Sequence, residues 1–403
     1  MKKNWLYLFA LICSVALFTA CSDDETPTLP VTDINATYTS TDATNVLELT
    51  YAGVVTTGKS VTFNSADGQT ATITMTGAPN DLLGSLTGVT VNNAGVIPGE
   101  SSTTLNVTLV PVGETGYTFS GTDDSNGRTV EYSGAIEQGK LTLDVTANFD
   151  NNLIGTWNLV PVPSSEDPSA TLYPIQVVWE SDTDLSLLGG LITMPLGDVL
   201  NLALRMPIID GSLSANNALT SVLQGVTFGA DGNIIASYSD AANLTSPVWQ
   251  DSPAGMVQYC VKNGKLYAYL DVEAIMGLVT AIETKADSGS SDLLSSILPI
   301  VLTHIGEITP LLSEGIPLGY DIDAETGVLN VYIEKEGLGD IIINIATEML
   351  SDENIVAALT ELMASDPSFG SMASMLDLTQ LPDVLNGTTN MEVGLNFNPT
   401  ASE

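Results

Sequence analysis

The sequence predicts a mainly β protein of the α+β class, in which an all-β unit precedes a larger β unit with inserted apolar helices. Between residues 46 and 149, short segments rich in Thr, Val and Tyr are separated by Gly, Asn and Asp turns. Hairpin signals such as Asn263-Gly264 continue through the second half, between long apolar stretches. A chain of 403 residues is longer than a domain with one ordinary hydrophobic core, which predicts more than one unit. Its hydrophobic content of 44% is not typical of a disordered protein.

The N-terminal segment is typical of an export signal. Lys2 and Lys3 precede an apolar run over residues 5–18, which is too short to span a bilayer comfortably. The run ends in Leu-Phe-Thr-Ala-Cys at residues 17–21, which resembles the bacterial lipobox, with Phe18 where leucine is more usual. The resemblance implies that residues 1–20 are a lipoprotein signal peptide and that Cys21 is the lipidated first residue of the mature chain. The alternative is an ordinary signal peptide that ends in a cysteine by chance.

An acidic segment follows the expected lipidation site. Ser22, Asp23, Asp24 and Glu25 resemble the export tag of Bacteroidetes outer-membrane lipoproteins, in which these residue types direct transfer to the cell surface. The resemblance implies an outer-membrane, lipid-anchored and surface-exposed protein whose partner is the membrane. The alternative is the acidic start of a solvated linker. Residues 21–44 as a whole are rich in Ser, Thr, Asp and Pro, which predicts a flexible acidic tether after the lipidated cysteine.

The charge balance and the cysteines restrict the possible partners and the source of stability. The chain carries 10 Lys and Arg against 48 Asp and Glu, a formal net charge of -38, which argues against nucleic acid and anionic lipid headgroups. Of the three cysteines, Cys13 lies in the signal and Cys21 is the predicted lipidation site, so only Cys260 remains. No intramolecular disulfide is then expected, and stability must come from packing.

The all-β unit is predicted over residues 45–150. Its eight expected strands are enough to close a small antiparallel barrel. The segments 116–121, 132–134 and 139–145 resemble strands in the calycin-like, lipocalin-type domains of uncharacterised Bacteroidetes outer-membrane lipoproteins. The resemblance implies an N-terminal lipocalin-like β-barrel. The predicted strands, about eight in number, include residues 47–51, 61–63, 71–75, 104–110, 116–121, 129–136 and 141–148.

The second unit is predicted over residues 151–403. Gly155 and Trp157 resemble the first strand of lipocalins, in which the tryptophan closes the barrel floor, so both are predicted barrel-floor residues. The last expected strand, residues 390–397, has no arginine to pack over Trp157, which departs from the lipocalin pattern. Hairpins are predicted at residues 227–238, 257–270 and 320–333.

Apolar helical stretches distinguish the second unit from a plain lipocalin. They are more apolar than surface helices need to be, and methionines are concentrated among them. Two interpretations stay open: the helices complete the core, or they line an apolar pocket. The pocket hypothesis makes Met276, Met349, Met363 and Trp249 speculative ligand-binding residues. The predicted helical stretches are 185–191, 196–204, 218–223, 272–285, 292–312, 338–350, 353–364 and 371–376.

The sequence has no recognisable catalytic or metal-binding motif. His304 is the only histidine, so a His-rich metal site is excluded, and its apolar surroundings favour a helix-packing or pocket-edge residue. Cys260 is expected to pack in the core. We find no phosphate loop, dinucleotide fingerprint, nucleophile elbow or zinc spacing. We therefore predict no catalytic residue, no metal ligand and no cofactor.

The leading functional hypothesis is a non-enzymatic surface lipoprotein that binds an apolar or amphipathic small molecule in the helix-elaborated C-terminal barrel. The alternative is a cell-surface interaction module that binds a partner protein or a glycan, with Trp249 as the stacking platform. A third possibility is a hydrolase without a recognisable motif.

Overall fold

The computed structural model describes residues 33–400 except 82–83, 86–87, 114–115, 165–170, 208–212, 241–243, 272–296, 298, 302 and 366–376. This part of the chain is mainly β, with two ten-stranded sheets and a separate two-stranded hairpin. The predicted fold class is therefore confirmed at this level, while the lipocalin-like details stay a prediction.

The first sheet is formed by the N-terminal half of the described chain. Its strands follow the order β6-β5-β4-β1-β2-β10-β9-β8-β7, with β3 paired to β2. They are β1 (Ala36–Thr39), β2 (Val46–Tyr51), β3 (Val54–Val55), β4 (Lys59–Ser65), β5 (Thr70–Gly77), β6 (Ser102–Thr108), β7 (Val110–Val112), β8 (Gly116–Ser125), β9 (Arg128–Glu137) and β10 (Lys140–Phe149).

This sheet curls into a near-closed barrel. Strand β6 pairs with β5, and β7, which begins two residues after β6 ends, pairs with β8 at the opposite end of the strand order. One continuous stretch of chain therefore carries both ends of the sheet. The predicted strands of this unit coincide with observed strands, except that residues 104–110 are divided between β6 and β7, and the sheet has ten strands where about eight were predicted.

The folded part begins earlier than the sequence predicts. Strand β1 lies inside the segment 21–44, which we expected to be a tether. Ile34 and Tyr38 are fully buried, and the Tyr38 hydroxyl donates to the Ile34 carbonyl oxygen at 2.8 Å. These two side chains and backbone pairing with β4 and β2 add a strand to the barrel, and the polar composition of the segment does not indicate this.

Side chains fill the interior of the first barrel. Strands β2 and β10 run parallel, with Leu47 opposite Leu141 and Leu49 opposite Leu143, and all four are buried. Alternation along the strands directs every second residue inward. The largest fully buried side chains of this core include Tyr38, Tyr51, Phe63, Ile73, Met75, Leu141 and Leu143.

The second sheet has the strand order β17-β16-β15-β11-β22-β21-β20-β19-β18, with β12 paired to β22. The remaining hairpin joins β13 and β14. The strands are β11 (Gly155–Leu159), β12 (Ile175–Ser181), β13 (Leu185–Leu187), β14 (Ile192–Met194), β15 (Leu223–Phe228), β16 (Ile234–Tyr238), β17 (Gln250–Asp251), β18 (Val257–Lys262), β19 (Lys265–Leu270), β20 (Ile316–Ile322), β21 (Leu329–Glu334) and β22 (Thr388–Pro399).

The second sheet is a half-barrel around a core that contains Trp157, Phe228 and Tyr259. A single bridge between Asn233 and Gln258 brings the β15–β16 turn against β18. The predicted hairpins are confirmed. At the tightest turn, Asn263 and Gly264 both take positive φ, 55° and 76°, as a two-residue hairpin of this type requires.

The helices of the second unit pack beside the sheet. They are α1 (Leu196–Arg205), α2 (Ala215–Val222), α3 (Ile305–Glu314), α4 (Asp340–Ser351), α5 (Glu353–Ser365) and α6 (Leu381–Asn386). Apolar residues of α1, α4 and α6 form a separate core with Leu185 and Met391. No helix in the described ranges is long and apolar enough to cross a membrane. The predicted helices at 272–285 and 371–376 lie outside the described residues.

One predicted helix is wrong. Residues 185–191 belong to the β13–β14 hairpin, in which Leu185 pairs with Met194. Leu188, Gly189 and Gly190 take positive φ values of 52°, 67° and 91°, which reverse the chain. The glycine pair therefore overrides the helical tendency of the surrounding leucines.

The filled barrel interior predicts a large cost for truncating a core leucine. Leu143 is 0% exposed, so Leu143→Ala should lower the free energy of unfolding by about 2–5 kcal/mol. The matched control is Leu202→Ala on α1, where Leu202 is 52% exposed, and its effect should stay within about 0.5 kcal/mol. Urea unfolding followed by circular dichroism measures both, and equal effects would contradict a filled interior.

Candidate functional site

The two β units meet at the turn between β15 and β16. The Tyr51 hydroxyl of the first unit donates to the Asp231 carbonyl oxygen at 2.7 Å. The Phe149 amide donates to the Ala230 carbonyl oxygen at 2.8 Å. Gly232 lies against the Phe149 ring, where a Cβ would be 2.8 Å from a ring carbon. These contacts fix the turn on the end of the first barrel.

Hydrogen bonds within the second unit also fix the conformation of this turn. The Asp231 carboxylate accepts from the Asn233 backbone amide at 3.0 Å and from the Asn233 side-chain amide at 2.9 Å. The Asn233 side-chain oxygen Oδ1 accepts a hydrogen bond from the Gly255 backbone amide at 3.0 Å. The turn therefore also positions the loop that contains Gly255, which forms one wall of the site.

A cleft of about 370 Å³ lies between the two units. Its walls combine apolar side chains with a few polar groups, as is common in sites for small molecules. The lining residues are Tyr51, 54–59 and 92–94 of the first unit, and 253–256, Gln258, 269–271 and Leu312 of the second unit.

Lys59 is a buried cation in this cleft. It opens strand β4 in phase with the buried residues Val61 and Phe63, and it is only 9% exposed. Its Nζ donates to the carbonyl oxygens of Ala94 and Gly95 at 2.8 and 2.9 Å. Burial disfavours the charged form and lowers the pKa of Lys59 to about 8, against a smaller opposing effect of the Asp271 carboxylate.

A close backbone approach brings these carbonyls to Lys59. Gly77 on β5 faces the Asn93 backbone, and a Cβ at Gly77 would lie 1.8 Å from the Asn93 carbonyl oxygen. The Asn93 amide donates to the Ala78 carbonyl oxygen at 2.9 Å. Only glycine at position 77 permits this contact, so Gly77 sets the position of the segment that binds the Lys59 ammonium.

An ammonium group has three N–H donors. The carbonyls of Ala94 and Gly95 accept two of them. Among the residues that the structure describes, no carboxylate lies within ion-pair distance of Lys59. The third N–H of Lys59, a residue that lines the cleft, has no acceptor among the described residues.

The other buried cation, Arg128, has a different environment. Its guanidinium forms ion pairs with Glu100 at 2.9 Å and with Asp123. Hydrogen bonds to Ser125 add to these contacts. Arg128 is therefore neutralised within the first barrel, and its role is structural.

Two tyrosines of the cleft remain neutral. Burial raises the pKa of Tyr51 and of Tyr269 far above the usual range, so both keep their hydroxyl protons at neutral pH. The Tyr269 hydroxyl lies 3.7 Å from the Cys260 Sγ atom. Burial also raises the pKa of the Cys260 thiol, which is therefore protonated and packs in the core.

His304 links two helices outside the cleft. Its Nδ1 and Nε2 atoms each lie 3.1 Å from a carboxylate oxygen, of Glu307 and of Glu348 respectively. Burial by itself lowers the pKa of His304, but the hydrogen bonds to both carboxylates raise it more. His304 thus contributes to the contact between α3 and α4. No group of three or more metal-ligating side chains occurs in the described ranges.

The predicted site residues are not brought together by the described structure. Met349 is half-buried on α4 and Trp249, 37% exposed, precedes β17, and neither lines the cleft. Met256, which we did not select, does line it. Outside the described residues lie Cys21, Ser22, Asp23, Asp24, Glu25, Met276 and the side chain of Met363.

The two predicted barrel-floor residues lie on β11, the first strand of the second unit along the chain. Gly155 opens β11 with a φ of 139°. Trp157 is buried in the second core, and its indole N–H donates to the Leu153 carbonyl oxygen at 2.7 Å. This hydrogen bond satisfies the buried indole N–H. The barrel-floor role itself stays a prediction.

The sequence analysis missed Lys59. The available signal was its position in the alternating segment 59–65, where Lys59 has the same phase as Val61 and Phe63. A lysine at an inward position of a strand is uncommon unless it is paired or functional. The cleft itself joins segments that are distant in sequence, so no local pattern predicts it.

No family model, curated protein or solved structure matches this chain.

The lowered pKa of Lys59 predicts a specific pH dependence of stability. Above pH 8 the folded chain loses the Lys59 proton while the unfolded chain keeps it, so the free energy of unfolding rises with pH. Relative to Lys59→Met, the unmodified protein should gain about 2 kcal/mol from pH 7 to about pH 9.5. Urea unfolding at each pH measures this difference.

The matched control is Lys140→Met, since the Lys140 side chain is 50% exposed and pairs with Glu48 on the surface. Its stability should follow that of the unmodified protein across the same pH range. Parallel pH curves for Lys59→Met and the unmodified protein would contradict a buried ammonium.

Proposed function

We propose that this protein binds a small amphipathic molecule in the cleft between its two β units. The observation that carries the proposal is the buried Lys59 ammonium, which lies at a cleft whose walls are partly apolar and partly polar. A site that fixes one polar group and covers an apolar body suits an amphipathic ligand.

The walls of the cleft support this ligand class. Val54, Met256, Leu270 and Leu312 supply apolar surface, while Lys59 supplies the fixed donor. The proposal keeps the ligand class expected from the sequence and assigns it to the junction between the units. Within the first barrel, side chains fill the interior and leave the junction as the better candidate.

The proposal includes a location, which the N-terminal sequence supports. Lipidation at Cys21 and the acidic tag Ser22, Asp23, Asp24 and Glu25 would hold the protein at the outer membrane, with its cleft facing the cell exterior. The membrane would then be a partner through the lipid anchor only.

A second candidate function is a surface interaction module for a protein or a glycan. The observation that favours it is the exposed pair Val248 and Trp249, which are 68% and 37% exposed. An exposed aromatic ring can stack on a sugar face. Quenching of Trp249 fluorescence by an oligosaccharide, lost in Trp249→Phe, would support this candidate.

Filling the cleft should weaken ligand binding. Ala254 lines the cleft and is half-buried, so Ala254→Trp should lower the affinity for a neutral fluorescent probe such as N-phenyl-1-naphthylamine by at least about tenfold. Fluorescence titration should give one probe per chain for the unmodified protein.

The matched control is Ala357→Trp on α5, where the residue is exposed and does not line the cleft. Its probe affinity should equal that of the unmodified protein. If the unmodified protein takes up no probe, or if Ala254→Trp binds as well as the control, the cleft is not a ligand site.

A further inference from the structure

We propose that the ligand of the cleft is an amphipathic carboxylate whose head group accepts the third N–H of Lys59. This inference depends on the proposed function and names the chemical class of the molecule that the cleft binds.

The first argument is charge complementarity. Of the two buried cations in the described chain, Arg128 has two carboxylate partners, whereas the Lys59 ammonium contacts only two neutral carbonyls. A charge removed from water is strongly stabilised by a counter-ion at hydrogen-bond distance. A ligand carboxylate on the remaining N–H supplies this counter-ion without disturbing the bonds to the two carbonyls.

The second argument comes from the other groups that face Lys59. Asp271 also lines the cleft, and it forms no ion pair with Lys59 although its charge raises the Lys59 pKa. The hydroxyls of Tyr51 and Tyr269 stay neutral. An anionic head group is therefore attracted only at the Lys59 ammonium, and the Asp271 charge disfavours a second negative charge on the ligand.

The third argument excludes other head groups. An amine would place a second cation against Lys59. A phosphate dianion would need more than one cation, and Lys59 is the only Lys or Arg among the described residues that line the cleft. A neutral alcohol could accept the same hydrogen bond, but it would leave the ammonium without a counter-ion. A carboxylate meets each condition, and the apolar walls cover its hydrocarbon part.

Binding of a carboxylate is then coupled to protonation of Lys59. Since the pKa of Lys59 in the free protein is about 8, the binding-competent ammonium predominates at pH 7 and is lost above pH 8. The affinity for a carboxylate should therefore fall toward tenfold per pH unit above pH 8, whereas the affinity for a neutral ligand of equal length should not change.

Octanoate and octan-1-ol test the inference as a matched pair, with isothermal titration calorimetry on the full chain. At pH 7 octanoate should bind at least about tenfold more tightly than octan-1-ol. Lys59→Met should remove this preference, and the control Lys140→Met, at an exposed ion pair outside the cleft, should keep it. Circular dichroism verifies the fold of each variant. The pH profile of octanoate binding to the unmodified protein is an independent readout if Lys59→Met fails to fold.

The outcomes separate the two proposals. Equal affinity for octanoate and octan-1-ol would overturn the carboxylate inference and leave the cleft as a site for neutral amphipaths. A preference for octanoate that persists in Lys59→Met, or that does not fall above pH 8, would also overturn it. Failure of both ligands and of the neutral probe to bind would overturn the proposed function together with this inference.

Discussion

The central constraint on the cleft between the two units is the burial of the Lys59 ammonium, which is removed from bulk water. Such a group must meet hydrogen-bond acceptors or a counter-ion. The carbonyls of Ala94 and Gly95 meet part of this requirement, and they can do so because Gly77 admits the neighbouring backbone. Tight backbone packing in the first barrel thus prepares a buried cationic position in the wall of the cleft.

The second unit completes the site because its β15–β16 turn docks on the barrel end. The backbone of that turn accepts from Tyr51 and from Phe149, and the Asp231 carboxylate holds its conformation. The Asn233 side chain then positions the opposite wall through Gly255. The cleft is consequently a property of both units together, and it exists only where their ends meet.

Much of the fold was predictable because alternation and turn chemistry act locally. The Asn263-Gly264 hairpin illustrates this, since both residues take the positive φ that the turn requires. Strand β1 was missed because its anchors stand among polar residues, and the 185–191 hairpin was missed because a glycine pair overrode a leucine-rich pattern. The cleft was not predictable, since Lys59 and Asp271 approach only through the tertiary fold.

The most direct test of a buried Lys59 ammonium is its own titration, followed by NMR of the lysine side-chain ¹³Cε resonances and assigned with Lys59→Met. We expect one lysine resonance to titrate near pH 8, about two units below the ordinary lysine value, and to be absent from the spectrum of Lys59→Met. Titration of every lysine above about pH 10 would contradict the account, because Lys59 would then be solvated or paired with an anion in the absence of ligand.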